Sequence, residues 1–403
     1  MKVVWICHFS NTEINGILKP WKQVNESAPW VSLSLKYLEG DKDIDLYVIA
    51  PHEYICGVHK FHLRGIHYIF FNPYIPVYGR HWPRFFRWDY MTDFAKSKRI
   101  VKRLVEEIKP DVIHLQGAEN PYYSSTIFQF LNRYPTILTV QGFFCHSRGQ
   151  KSGYGLQREK IEKNILTQIP VAFYRTQQMA RDIQRYNPEV KLCWNAYGSY
   201  ELVPPLTNPI KKYDIVFFAR VTKEKGIEDL LEAISIIKQS KSNVKLCVIG
   251  GGNSDSFRAL SKKLDIENNV TWAGFLPTQK DVYSLAQQAK VSVLPTYFDI
   301  IPGTIMESMF LGIPVVSYAT DSIPEINEKG EGISLVEKGN VIALANKIIE
   351  LLDDDALRQS FSKKAKIRAK EMFSFTDEQI KDSLLSGYRT AIQAYHNKID
   401  ESI

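Results

Sequence analysis

Residues 291–317 read VSVLPTYFDIIPGTIMESMFLGIPVVS, a pattern that predicts strand, loop, helix and strand in that order. Val291–Leu294 is a short apolar run ended by a proline, which is typical of a buried parallel strand. A helix is predicted over Thr304–Leu311, because apolar residues recur there at helical spacing. Gly312 ends that helix, and Pro314 prevents its return before the next apolar run. The stretch therefore predicts an α/β fold built on a parallel sheet.

Two carboxylates lie within this unit, Asp299 in the predicted loop and Glu307 in the predicted helix. The loop follows the carboxyl end of a strand, which is where open α/β sheets bind ligands. A helix N-terminus attracts anions, and a carboxylate beside it is well placed to accept hydrogen bonds from vicinal hydroxyls. These residues favour a ligand with both phosphate and diol groups, such as a nucleotide sugar. A surface loop with two solvated acids is the alternative reading of the same composition.

The rest of the 403-residue chain repeats the alternation of short apolar strands and helices. This predicts two Rossmann-like parallel-sheet domains facing a cleft, at residues 1–205 and 206–375, and a C-terminal helix within residues 376–403. No run of about 18 apolar residues occurs, so no transmembrane helix is expected. The first residues, MKVVWICHFS, do not read as a signal peptide. The five cysteines are scattered without metal-ligand spacing, which favours a reduced, cytoplasmic chain without zinc.

The excess positive charge of the chain lies in its first half. Residues 1–205 contain 26 Lys and Arg against 18 Asp and Glu, a net charge of +8, whereas the remainder has a net charge of −1. Within that half, Gly79–Arg103 interleaves eight basic residues with large aromatic ones. Such a segment suits an anionic membrane surface or a lipid-linked phosphate acceptor. Nucleic acid is conceivable from this segment alone but is not an expected partner, and an ordinary amphipathic helix with a basic wet face is the alternative.

Two elements of the second half carry a family resemblance. The spacing Asp299-x7-Glu307 resembles the acid-x7-acid signature of retaining glycosyltransferases with the GT-B fold, glycosyltransferase family 4 (glycosyl transferases group 1). The family usually has Glu as the first acid, and this chain has the shorter Asp. Arg220, Lys225 and Gly226 resemble the family's Arg-x4-Lys-Gly element between a strand and a helix. The resemblance implies a GT-B fold in which the C-terminal helix crosses back to the first, acceptor-binding domain, while the second domain binds the donor.

The resemblance also implies a role for each residue of the donor site. Arg220 and Lys225 would stabilise the departing diphosphate, and such a pair of cations requires neither a metal nor another cofactor. Glu307 would accept hydrogen bonds from the ribose, and Asp299 from the transferred sugar. The other implied donor-binding residues are Gly303, Thr304 and Ile305 at the helix start, Phe275 and Leu276 beside the base, and Gly16 in the loop after the first strand.

The acceptor is expected in the first domain, where polar residues follow two predicted strands. Gln116 and Glu119 are predicted on the loop after one strand, and Gln141 and His146 on the loop after the next. Many members of the family carry His where Gln141 stands, so this chain departs from the pattern there. His146 is a candidate substitute, although a lone His in a loop is more often an ordinary surface residue.

The implied function is hexosyl transfer, with retention of configuration, from a nucleoside-diphosphate sugar to a glycan or lipid-linked acceptor. UDP is the expected nucleotide, and the expected setting is surface polysaccharide or lipopolysaccharide synthesis in the cytoplasm, with peripheral contact to the inner face of the membrane. The departures at Asp299 and Gln141 leave a catalytically inactive GT-B-like binding protein or membrane-surface scaffold as the alternative. A nicotinamide enzyme is disfavoured, because no strand leads into GxGxxG with an acid about 20 residues later.

Overall fold

The computed structural model describes residues 1–23, 28–74, 88–146, 151–196, 209–328 and 332–400. The chain divides into two compact units. The first unit combines Met1–Gly198 with Phe375–Ile403, and the second is Ser199–Ser374. The first part of the basic and aromatic stretch Gly79–Arg103, from residue 79 to residue 87, lies outside the described residues.

The first unit is built on a sheet with the strand order β3-β4-β2-β1-β5-β6-β7-β8. Its strands are β1 Lys2–Ile6, β2 Asp45–Pro51, β3 Val58–Leu63, β4 Ile66–Phe71, β5 Val112–Gln116, β6 Thr136–Thr139, β7 Val171–Tyr174 and β8 Lys191–Trp194. Its helices before the second unit are α1 Thr12–Leu18, α2 Pro29–Lys36, α3 Trp88–Met91, α4 Ala95–Ile108, α5 Pro121–Ser124, α6 Gly153–Gln168 and α7 Gln177–Tyr186.

One strand of this sheet departs from the predicted parallel arrangement. β3 pairs antiparallel with β4, while the other strand pairs of the sheet are parallel. The two-residue turn between them holds Arg64 and Gly65, both with positive φ, which is the backbone of a tight hairpin. The hairpin places a partly polar strand at the sheet edge. The run VHKFHL alternates too weakly between polar and apolar residues to predict it.

The second unit has a six-stranded, wholly parallel sheet with the order β11-β10-β9-β12-β13-β14. Its strands are β9 Tyr213–Phe218, β10 Leu246–Ile249, β11 Val270–Gly274, β12 Ala289–Leu294, β13 Val315–Tyr318 and β14 Ile333–Val336. Its helices are α8 Ile227–Ser240, α9 Asp255–Lys263, α10 Gln279–Ala286, α11 Gly303–Leu311, α12 Ile323–Ile326, α13 Val341–Asp353 and α14 Asp355–Phe373. The last helix, α15 Asp377–Asp400, belongs to the first unit.

A buried polar cluster attaches α15 to the sheet of the first unit. The Tyr388 hydroxyl lies 2.8 Å from Trp5 Nε1, which donates to it, and 3.1 Å from His114 Nδ1. His114 Nε2 lies 2.7 Å from the Thr139 hydroxyl. Burial lowers the pKa of His114 to about 3, so its ring is neutral. Both ring nitrogens have a hydrogen-bond partner, the Tyr388 hydroxyl and the Thr139 hydroxyl. The cluster fixes the register of the helix, because leaving these polar groups unpaired in the core would be costly.

Gly387 is the point of closest approach between α15 and the sheet. A Cβ built at this position would overlap two atoms of the Phe173 ring, and it lies 3.0 Å from Ile137 Cδ1. Gly387→Ala is therefore expected to lower the free energy of unfolding by about 1–3 kcal/mol through overpacking, as measured by urea denaturation. The matched control is Gly16→Ala, also within a helix, where a Cβ meets nothing within 4 Å. Equal stability of the two variants would contradict this packing.

No helix among the described residues is long and apolar enough to cross a membrane.

Candidate functional site

The topology of the second sheet predicts where a ligand would bind. β9 lies in the sheet between β10 and β12, so the chain order reverses beside it. In open α/β sheets, ligands bind at the carboxyl ends of the strands at such a reversal. The loop after β9 carries Arg220 and Lys225, and the loop after β12 carries Asp299. The structure thus brings the two motifs found in the sequence to one edge of the sheet.

Backbone contacts join these two loops directly. Gly226 has φ of 75°, and a Cβ built on it falls on the carbonyl oxygen of Pro295. The carbonyl oxygen of Glu224 accepts a hydrogen bond from the Tyr297 backbone N–H at 2.8 Å and another from the Thr296 hydroxyl at 3.2 Å. Only glycine allows this approach, which explains why a glycine follows Lys225.

An ion pair joins the same two loops through their charged side chains. The ammonium group of Lys225 contacts Asp299 Oδ2, and the two side chains are only 20% and 17% exposed. The backbone N–H of Asp299 donates to Asp321 Oδ2 at 2.7 Å, which holds the carboxylate-bearing residue in place. The structure therefore pairs a residue expected on the diphosphate with one expected on the sugar.

Arg220 is exposed and has no ion pair with any residue that the structure describes. Its guanidinium is the five-donor group that best matches a phosphate. Among the described residues, the loop after β9 therefore offers Arg220 as an unpaired cation, whereas its Lys223 and Lys225 are already paired.

Helix α11 begins at the same edge of the sheet with no side-chain cap. The N–H groups of Ile305 and Met306 both donate to the Pro302 carbonyl, so those of Gly303 and Thr304 precede the first hydrogen bonds of the helix. The Thr304 hydroxyl donates to the Phe218 carbonyl at 2.6 Å, which fixes the helix start against the end of β9. The N–H groups of residues 303 and 304 are thus suited to an anion, whereas Ile305 is fully buried with its N–H already used.

Glu307 lies one turn further along α11 and is only 8% exposed. Gln279 on α10 donates from Nε2 to Glu307 Oε1 at 3.0 Å. Burial raises the pKa of Glu307 to about 7. The nearby Tyr283 hydroxyl opposes that rise in pKa. Its position does not meet the geometric criteria for a hydrogen bond with any residue that the structure describes. Glu307 is therefore a buried carboxyl poised between its two protonation states at neutral pH.

The turns after β10 and β11 reach the same edge. A Cβ at Gly250 falls on the Ala219 carbonyl oxygen, and Gly252 sits close to the Val221 carbonyl, both with positive φ. Phe275 lies beside Gly251 and is 76% exposed, whereas Leu276 packs against the apolar cluster of this unit. Phe275 is therefore the better placed of the two predicted residues to border a flat base.

Asp229 on α8 is a site residue that the sequence analysis missed. Its Oδ2 accepts hydrogen bonds from the Tyr297 hydroxyl at 2.6 Å and from the Tyr318 hydroxyl at 2.5 Å. Tyr297 is two residues before Asp299, so this carboxylate anchors the loop after β12. Acids in the first turn of a helix are common, and no sequence signal distinguishes this one.

The structure corrects the placement of two predicted residues in the first unit. Gln116 is the last residue of β5 rather than part of a loop, and it is 5% exposed with its amide 3.4 Å from His114 Nδ1. Its side chain is therefore part of the core. Gly16 lies inside α1, not in a loop, because the Asn11 side chain caps a helix that starts at Thr12.

Glu119 follows β5 with its carboxylate turned inward. Its Oε2 is buried without a hydrogen-bond partner among the described residues, and burial raises its pKa to about 7. The carboxylate lies against Gly117, where a side chain would collide with it. Arg158 on α6 donates to the Glu119 backbone carbonyl.

The loop after β6 is held by the same helix. Glu162 on α6 is fully buried and accepts hydrogen bonds from the N–H groups of Phe144 and Cys145 at 2.9 and 2.6 Å. Gln141 has its Nε2 buried without a partner among the described residues. The His146 ring stacks on Phe143, with ring centroids 4.7 Å apart. The loop is thus held to α6 by hydrogen bonds, while the amide nitrogen of Gln141 has no partner among the described residues.

No group of three or more metal-ligating side chains occurs among the residues described above.

Residues 201–368 match the family model described as glycosyl transferases group 1. The capsular polysaccharide biosynthesis glycosyltransferase CapM of Staphylococcus aureus is 28% identical to this chain over 184 residues, which cover 46% of this chain and 48% of CapM. This chain spans about half the length of the curated relatives that it matches first. The second unit of this chain is therefore similar to the glycosyl transferases group 1 family.

Two solved structures extend the likeness to the whole chain. The sucrose-phosphate synthase of Thermosynechococcus elongatus superposes with a TM-score of 0.74 at 17% identity, over 98% of this chain and 100% of that one. The Anabaena protein Alr3699/HepE, solved in complex with UDP, superposes with a TM-score of 0.66 at 16% identity, over 96% and 100%. At such low identities these likenesses show the fold, and the GT-B fold predicted from the sequence is confirmed.

Proposed function

We propose that this chain is a metal-independent, retaining glycosyltransferase that uses a nucleoside-diphosphate sugar, with UDP as the nucleotide. The observation that carries the proposal is the convergence at the carboxyl ends of β9 and β12. There a free arginine, a paired lysine, an uncapped helix start and a buried carboxyl group lie at one edge of the sheet. This set matches a ligand with a diphosphate at its centre, a diol on one side and a sugar on the other.

Each group has a step to perform. Arg220 and Lys225 neutralise the charge that develops on the diphosphate as its bond to the sugar breaks, and the N–H groups of Gly303 and Thr304 add to this stabilisation. Glu307 accepts hydrogen bonds from the ribose diol, and Asp299 from hydroxyls of the transferred sugar. No carboxylate acts as a nucleophile. The acceptor hydroxyl attacks the face from which the diphosphate leaves, which retains the configuration and passes its proton to the departing phosphate oxygen.

The named relatives support the choice of donor and setting. CapM is named for capsular polysaccharide biosynthesis, and the Anabaena structure contains UDP. A glycan or lipid-linked acceptor in surface polysaccharide synthesis is consistent with both. We place the acceptor in the first unit, near Glu119, Gln141 and His146, with Gln116 behind them as a core residue.

We also retain the proposal of a cytoplasmic protein in peripheral contact with an anionic membrane through Gly79–Arg103. Within the described part of that segment, Trp88 and Met91 on α3 are 52% and 60% exposed. Leu156 on α6 is 58% exposed, and α3 is joined to α6 by the ring contact of Tyr90 with Tyr154. Co-sedimentation with anionic vesicles, compared with neutral ones, tests this contact.

The function is tested by a thermal-shift panel with UDP, GDP, ADP, CMP and NAD, first without metal and then with Mg²⁺. We expect UDP to raise the melting temperature without metal, and Glu307→Ala to abolish the shift. UDP-sugars are then screened for release of UDP with and without glycan acceptors. A flat panel, or a shift with NAD alone, would contradict the proposal and favour the inactive binding or scaffold protein.

The raised pKa of Glu307 predicts a pH dependence of nucleotide binding. An ionised carboxylate accepts hydrogen bonds from both ribose hydroxyls, and this form is lost as the pH falls through about 7. UDP affinity is therefore expected to rise by up to about tenfold between pH 6 and pH 8. Calorimetric titration of UDP measures this change. Glu307→Gln is the control, because it keeps the pH dependence of UDP itself and of the other groups and removes only that of Glu307.

A further inference from the structure

The ion pair between Lys225 and Asp299 joins the loop after β9 to the loop after β12. The carboxylate stays in place, because the Asp299 backbone is bound to Asp321 and the preceding loop is bound to Asp229 through Tyr297. Lys225 is the adaptable partner, since its ammonium group ends a flexible four-carbon stem. A ligand that needs the lysine must therefore compete with a fixed carboxylate for it.

Diphosphate and sugar nucleotide meet this carboxylate differently. The terminal phosphate of a bare nucleoside diphosphate presents only acceptor oxygens and negative charge, so it is repelled by Asp299. A sugar linked to that phosphate presents hydroxyl donors in the same region, and a carboxylate accepts hydrogen bonds from them. The two side chains are mostly buried, so solvent screens this difference only partly.

We propose that Asp299 selects the sugar-bearing donor over the bare nucleoside diphosphate by competing with the diphosphate for Lys225. The inference rests on the proposed function and adds a specificity determinant to it. With the donor bound, Lys225 turns to the diphosphate and Asp299 accepts hydrogen bonds from the sugar. After transfer, the sugar is gone and Asp299 recovers the lysine, which weakens the hold on the nucleoside diphosphate and speeds its release.

The test is calorimetric titration of UDP and of inorganic pyrophosphate into the wild-type protein and Asp299→Asn. Removing the competing charge is expected to tighten binding of whichever probe binds by about five- to tenfold, while turnover of the donor falls. Inhibition of turnover by UDP becomes stronger in the same variant. A purely structural role of Asp299 would weaken binding instead, so the sign of the change decides between the two.

Two further variants complete the design. Asp299→Glu restores the charge and is expected to bind UDP as weakly as the wild type. Asp265→Asn, which breaks a Lys–Asp pair with Lys238 elsewhere in the second unit, is expected to leave UDP affinity unchanged. Unchanged or weaker binding in Asp299→Asn, with wild-type binding intact, would overturn this inference and leave the proposed function standing. Absence of UDP and pyrophosphate binding in every variant would overturn both.

Discussion

Arg220→Ala is expected to lower glycosyl transfer by about two orders of magnitude, with little change in the stability of the fold. Arg220 is exposed and has no ion pair among the described residues. It follows β9, whose last residue, Phe218, is hydrogen-bonded to the helix start that would hold the diphosphate. Loss of a preformed donor to the departing group costs about 3 kcal/mol of transition-state stabilisation. Steady-state kinetics at saturating donor measures the loss in kcat.

Arg258→Ala is the matched control, since Arg258 is an exposed arginine of the same unit that lies 5.0 Å from the centre of the Trp272 ring. Its kcat is expected to stay within twofold of the wild type. Lys225→Ala should resemble Arg220→Ala, because both cations act on the same diphosphate. Near-normal turnover in both Arg220→Ala and Lys225→Ala would exclude the proposed mechanism.

Gly226→Ala is expected to destabilise the second unit by about 3–5 kcal/mol. A Cβ at this position falls on the Pro295 carbonyl oxygen, and the backbone φ of 75° is unfavourable for any residue with a side chain. The neighbouring backbone cannot give way, because Tyr297 and Thr296 are bound to the Glu224 carbonyl. Urea denaturation followed by tryptophan fluorescence measures the change, with Trp272 as the reporter within the described part of this unit.

Gly303→Ala is the comparison for that measurement. Gly303 begins α11, and a Cβ built there meets nothing within 4 Å. Its free energy of unfolding is expected to stay within about 0.5 kcal/mol of the wild type. A Gly226→Ala protein as stable as Gly303→Ala would show that the two loops are not held as closely as the structure has them.

The parallel sheet of the second unit was predictable because most of its strands are short, largely apolar runs, and several of them lie next to a Pro or Gly. The run Val291–Leu294 becomes the end of β12, and the helix predicted over Thr304–Leu311 begins one residue earlier. The family resemblance also implied that Lys225 and Asp299 belong to one donor site. Strand order and register bring them into contact, and those depend on residues distant in the sequence.

The remaining differences concern contacts that leave no local pattern. Asp229 reads as an ordinary helical acid until Tyr297 and Tyr318 are seen to donate to it. Gln116 reads as a loop residue, yet the register of β5 with β6 extends the strand to include it. In each case the missing information is which distant residue the side chain meets.

The return of α15 to the first unit has a consequence for the synthesis of the chain. Leu384, Tyr388 and Ala391 of that helix are part of the core formed by residues near the start of the sequence. During synthesis, all strands of the second unit leave the ribosome before α15 does. Until α15 has been synthesised, the hydrophobic surface of the first unit that this helix covers stays exposed. We expect the second unit to fold first. A nascent chain stalled before residue 375 lacks α15, and we expect its first unit to depend on chaperones.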